Sequence, residues 1–211
     1  MGEIKIDPQK YARILQSSLK QFAKYSYQQT NTEEIAAGAG VSKGLIFHYF
    51  GSKQKLYEQT ISFVIDHLNE QSKALFERDY TDLVEIVVAS TKHKLDLERV
   101  YPDHIHLLIS SYAQKEMLPK GVQEKLNQYM AENMAIAQQL LTKSIKRMPI
   151  KESISEQDVI QLVLGVFNQI YVESLTFLRE NPSVTEIHQM QFLVERSRSY
   201  MAILQTGFLE Y

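Results

Sequence analysis

The residues best equipped for chemistry lie in one stretch, Gly38-Ala-Gly-Val-Ser-Lys-Gly-Leu-Ile-Phe-His-Tyr-Phe-Gly-Ser-Lys53, where glycines, hydroxyls, cations and a histidine alternate with aromatic rings. Glycines next to Ser and Lys suggest a phosphate cradle, and two such cradles can be tested on spacing. A dinucleotide-binding turn needs Gly-x-Gly-x-x-Gly after a strand, but here the third glycine falls one position late and a helical pattern precedes it. A P-loop needs Gly-Lys-Ser/Thr in that order, which is absent. What the spacing does fit is a short capped helix, a tight glycine turn and a second helix of about two turns, a helix-turn-helix.

Other chemistry finds little support. There is no cysteine, which excludes disulfides, thiolate zinc sites and cysteine nucleophiles. No Glu-x-x-His pair occurs, and no Ser/His/Asp set has an interpretable spacing, so a helical-bundle enzyme is the weakest reading. His104 and His106 are two apart, and on a helix they would point about 200° from each other. No metal site and no cofactor are expected.

Apolar residues recur at three and four along most of the chain and period-2 alternation is nearly absent, so the expected fold is all-α with about nine helices. Asp7-Pro8 opens the first helix, which runs to about Tyr25. Thr30-Asn-Thr-Glu33 has the spacing of a capping box for a short second helix, with Thr30 as the cap; Gly40 ends it. Ser42 caps the third helix and Ser52 a long fourth one reaching about Arg78. Further helices are expected over 81–101, 102–117, 119–148, 155–181 and 183–209, with prolines at or near the breaks. Gly38 sits inside the second helix at a cost of about 1 kcal/mol relative to Ala, and nothing in the sequence accounts for it.

Projected at about 100° per residue from Ser42, Lys43, Gly44, Phe47 and His48 share one arc. Ile46 and Phe50 fall opposite, where they would pack against Val41, Ile35 and the first helix. Exposed Phe beside Lys and His is unusual surface unless it meets a partner. Charge agrees: residues 1–60 carry eight Lys/Arg and five Asp/Glu, a net of +3, against −5 for the remainder and −2 overall. A basic end on an acidic body suits a small anion-facing module.

From Ile14 to Tyr57 the sequence resembles the DNA-binding domain of the tetracycline-repressor family. The matching pieces are Ile14-Leu15, Phe22-Ala23, Thr30, Ile35-Ala36, Ala39-Gly-Val-Ser-Lys-Gly44, Phe47-His-Tyr-Phe50, Lys53 and Leu56-Tyr57. It departs where Ser26 precedes Tyr27, since the family often has Gly there, and where Thr32 replaces Val or Ile. The resemblance implies a helix-turn-helix domain over 1–52, a ligand-binding and dimerisation domain over 53–211, and a third helix entering the major groove of double-stranded operator DNA. In that role Lys43 can donate to guanine O6/N7 or to a phosphate, Gly44 lets the helix backbone approach the bases, and Phe47 meets a thymine methyl. Ser42, His48, the Tyr49 hydroxyl, Thr32 and Lys53 would hold the backbone.

One such module touches few bases, so a homodimer reading a palindrome is expected. The last two helices carry more apolar residues than one buried face needs, and Val159, Leu162, Val163, Val166, Ile170, Leu193, Met201, Leu204 and Phe208 are the expected interface. The family encloses an effector between head and interface; candidates here are Phe63, His67, Tyr101, His104, Tyr112, Tyr129, Met134 and Phe167. The implied function is a ligand-responsive repressor, the alternative a sensing dimer with a degenerate DNA head. No run nears the roughly 18 consecutive apolar residues of a membrane helix, so no membrane partner is expected and the location is expected to be cytoplasmic.

Overall fold

The computed structural model describes residues 6–209, apart from the side chains of Phe76 and Phe208. Nine α-helices make up the described residues: α1 (Pro8–Gln29), α2 (Thr32–Ala39), α3 (Lys43–Phe50), α4 (Lys53–Glu77), α5 (Leu83–Val100), α6 (Pro102–Ala113), α7 (Lys120–Ile145), α8 (Glu156–Glu180) and α9 (Gln191–Phe208). Short 3₁₀ turns at Lys115–Met117 and Ile187–Met190 extend the ends of α6 and α9. These account for the longer helices that the sequence suggests at 102–117 and 183–209.

The caps are local and chemical. Asp7 accepts hydrogen bonds from the backbone N–H groups of Gln9 and Lys10, Ser42 from Leu45, and Ser52 from Lys55, each satisfying a first-turn donor. The expected cap of α2 is corrected by one position. Asn31, not Thr30, accepts from the Glu33 N–H. Thr30 is buried and its hydroxyl donates to the carbonyls of Gln21 and Ser26 instead. It closes the end of α1, where the backbone leaves helical geometry at Ser26.

Gly38 gains a physical account. A Cβ there would lie 2.5 Å from the Ser17 hydroxyl, which donates to the Ile35 carbonyl at 2.9 Å. The Ser17 side chain occupies the space, and only a residue without a side chain fits without moving it.

Two apolar clusters form the core. One joins α1–α3 to α4, α6 and the start of α7 through Phe22, Ile35, Ile46, Tyr57, Leu107 and Leu126. The other joins α5, the end of α7, α8 and α9 through Leu83, Ile86, Leu141, Val163 and Met201. The first cluster runs across residue 52 without a break, so the head and α4 share packing.

Candidate nucleic-acid interface

α3 is only eight residues long, too short to hold together without tertiary contacts. Ile46, fully buried, and Phe50, stacked on Tyr11 with centroids 5.0 Å apart, supply them. The two sit four residues apart and so share a face. That leaves Phe47 38% exposed, a large ring in solvent, with Lys43, Gly44 and His48 exposed beside it. A Cβ on Gly44 would meet only the Ser42 hydroxyl, at 3.9 Å. The helix therefore offers a smooth strip between Lys43 and Phe47 that another surface can approach closely.

The flanking groups are held by neighbours. The Tyr49 hydroxyl accepts from the Asp7 backbone N–H at 3.0 Å, and its own proton stays available to an acceptor. Lys53 donates to the Gln28 carbonyl at 3.2 Å and lies 5.1 Å from the centroid of the Tyr27 ring. Partial burial lowers the Lys53 pKa. Lys43 makes an ion pair with Glu33 at 2.8 Å. Thr32 is buried at the start of α2, which favours its backbone over its hydroxyl as a contact. The sequence marks Asp7 and Glu33 only for helix starts, and it does not show their contacts, or those of Tyr27 and Gln28, with the α3 and α4 residues, because each partner is distant in the chain.

Four of the effector candidates meet in space. His67 Nδ1 and His104 Nε2 are 2.8 Å apart, linking α4 to α6, and Phe63 and Tyr101 pack around the imidazoles. Burial, then the neighbouring His67, lowers the His104 pKa to about 4, with Asp103 opposing. Tyr112 donates to the Leu126 carbonyl and meets Tyr171 edge-on, and burial raises its pKa, as it does that of Tyr129. Phe167 packs at the edge of the second core instead, and Met134 is half-buried on α7. Phe63, Tyr101, Tyr112 and Tyr129 thus all pack on the first core cluster, and Phe167 on the second.

The expected interface on α8 and α9 is corrected in part. Val159, Val163, Leu193 and Met201 are buried within the chain, because these sides of the helices face inward. Val166, Ile170 and Leu204 are half-buried, and Leu162 is exposed; the side chain of Phe208 lies outside the described residues. The outward surface is carried by Leu162 and Ile203, 54% and 66% exposed, and they flank an open, mostly apolar groove of about 280 Å³ with Ile154, Val159, Leu204, Gly207 and one charged residue, Asp158. Ile203, like the exposed Val172 and Phe192, was missed because apolar spacing alone does not say which of two apolar faces is covered. α8 is long and apolar enough to cross a membrane by length and composition, with a mean hydropathy of 1.3 over 18 residues of which 17% are buried.

Residues 14–60 match the family described as bacterial regulatory proteins, tetR family. The chain is 26% identical over 167 residues to the fatty acid metabolism regulator protein of Bacillus subtilis strain 168, covering 76% of this chain and 80% of that protein. It is 35% identical over 89 residues to the transcriptional regulator RutR of Escherichia coli K12, covering 42% of this chain and 41% of RutR. This match and those to the regulator BetI span less than half of the relatives' length. Among solved structures, a TetR transcription regulator from Haloarcula marismortui superposes with a TM-score of 0.64 at 12% identity, covering 97% of this chain and 100% of that one. The regulator FadR from Bacillus subtilis in complex with stearoyl-CoA gives 0.59 at 19%, covering 93% and 98%. At these identities the superpositions speak to the fold alone. Residues 14–60 thus carry the helix-turn-helix of bacterial regulatory proteins of the tetR family, and the chain as a whole shares the all-α fold of solved regulators.

Proposed function

We propose that this regulator is a repressor that binds a palindromic operator as a homodimer in the cytoplasm and leaves it when a small molecule occupies the body. The observation that carries the reading is α3: Ile46 and Phe50 pin the helix down while Phe47 stands in solvent between Lys43 and His48. Lys43 and Phe47 read base edges, with Gly44 clearing space between them. His48, Ser42, the free proton of Tyr49, the N-terminus of α2 at Thr32, and Lys53 hold phosphates.

The effector acts through α4, which begins at Lys53 in the head and carries Phe63 and His67 into the body. The first class of compound to try is a long-chain acyl-CoA, since the fatty acid metabolism regulator of Bacillus subtilis is a relative over most of its length and FadR from that organism was solved with stearoyl-CoA. Tyrosine-rich, half-buried surface around Tyr112, Tyr129 and Tyr171 suits an amphipathic ligand.

Operator sites selected from random DNA by the wild-type protein provide the test. Lys53→Ala is expected to weaken binding to every sequence alike, by roughly threefold to tenfold, through a lost phosphate contact. Phe47→Ala is expected to relax preference at particular base pairs, each base contact being worth about 1–3 kcal/mol of discrimination. Wild-type affinity for both variants in a gel-shift titration would refute the assignment. Stearoyl-CoA is expected to release the complex, and DNA must then weaken stearoyl-CoA binding by the same factor.

A further inference from the structure

Glu33 stands at the front of the head and has no obvious business there. Its carboxylate is exposed on the first turn of α2 and lies 2.8 Å from the Lys43 ammonium on the first turn of α3. The Lys43 ammonium thus rests one hydrogen bond from a negative charge. The pair is not needed for folding. Asn31 caps α2 through the Glu33 backbone N–H, and the side chains are 48% and 62% exposed, where water screens an ion pair and leaves it little weight in stability. Bonding to Lys43 holds the Glu33 carboxyl below the usual carboxylate range.

A carboxylate in such a position penalises contact with phosphate and gains only from a base-edge donor; the major groove offers the amino groups of adenine and cytosine, and cytosine suits it better because adenine N7 places an acceptor beside the amino group. We propose that Glu33 is a specificity-determining residue of the DNA interface: it keeps Lys43 from acting as a general phosphate clamp and favours registers that place a cytosine amino group before it. The proposal rests on the DNA-binding reading of α3. The wild-type head thus gives up part of its affinity for arbitrary DNA and gains discrimination.

Glu33→Gln removes the charge and keeps the shape. Against the site selected by the wild type and against random-sequence DNA, anisotropy titrations over a range of salt should show three changes. Binding to random DNA tightens several-fold, and its salt dependence steepens by about one counterion per protomer as Lys43 reaches phosphate. The ratio of specific to random affinity falls roughly tenfold, the size of one base contact. A repeated selection with the variant loses a cytosine preference at one position in each half-site. An unchanged ratio and an unchanged selected sequence would overturn the proposal, even if all DNA bound more tightly. A wild type that selects no sequence at all would overturn the reading of α3 along with it. Unchanged thermal melting of the variant serves as the check that the head is intact.

Discussion

Ser26 carries a backbone that only glycine adopts freely. Its φ of 63° and ψ of 171° fall in a region that costs a residue with a Cβ about 1–3 kcal/mol. The strain is tolerated because Thr30 bonds the Ser26 carbonyl through both its hydroxyl and its N–H, fixing the reversal that brings Tyr27 under Lys53. Ser26→Gly should therefore raise stability by about 1 kcal/mol after the extra freedom of the unfolded chain is subtracted, measured by urea unfolding; a loss of stability would refute the strain. Gly38 behaves in the opposite sense. Gly38→Ala gains about 1 kcal/mol of helix propensity but turns Ser17 off the Ile35 carbonyl, a buried hydrogen bond whose loss costs about 1–3 kcal/mol. A net loss of about 1 kcal/mol is expected, and in a Ser17→Ala background the same substitution should become stabilising. If the sign does not reverse, Ser17 is not the obstacle. The Ser26-Tyr27 departure from the family pattern was visible in the sequence, but its cost was not, because nothing local declares a positive φ. For Gly38 the reason lies on another helix.

At the scale of elements, head and body are joined by α1 packing on α6 and by α4 running from one to the other. The Tyr57 hydroxyl shares a hydrogen bond of 2.8 Å with Ser111 of α6, and His67 meets His104 one layer further on. Glu58 is buried against the first turn of α7, where a Cβ on Gly121 would collide with its carboxylate. The histidine contact gives this junction a pH dependence whose sign follows from burial. The His104 pKa is lowered to about 4 in the folded chain, against an unfolded value of about 6.5. The folded state thus favours the neutral ring, so its contribution is complete above about pH 6.5 and is lost as pH falls toward 4. Melting temperatures at pH 7.5 and 5 should fall further apart in the wild type than in His104→Asn. Equal differences would show that His104 does not report on the junction. Helix starts such as Asp7, Ser42 and Ser52 were legible because caps are made within four residues. Thr30 and Asn31 were confused because both carry a capping oxygen, and only the path of α1 decides between them. The Lys43–Glu33 pair spans ten residues and a turn, and no periodicity encodes it.

Across the whole molecule, the first 60 residues are basic and the remainder acidic, which favours an approach to DNA head first and keeps the body away from it. That orientation is useful only if two heads are held at a fixed separation, and the surface of α8 and α9 is where the chain has apolar area to spare. Leu162 and Ile203 stand in solvent, and nothing lies within 4 Å of a Cβ on Gly165 or Gly207, so a partner's helices can approach the backbone there. In the proposed homodimer, two copies packed through this face would make an isologous contact with Ile203 near its centre. The apolar pattern of α8 showed that a surplus existed, but residues on both of its faces are apolar, and only packing against α7 and α9 separates Val163 inside from Leu162 outside. The distinction makes a sharp prediction. Ile203→Asp places a charge at the centre of the contact, where desolvation without a partner is costly, yet leaves the buried set of Val159, Val163 and Met201 untouched. Light scattering at micromolar concentration should change from dimer to monomer with the helical circular dichroism retained. Operator affinity should fall by at least tenfold, because one head alone keeps half of the base contacts. Val163→Asp should instead unfold the body, since it buries an unpaired charge inside one chain. An Ile203→Asp protein that remains a dimer would move the interface to another face.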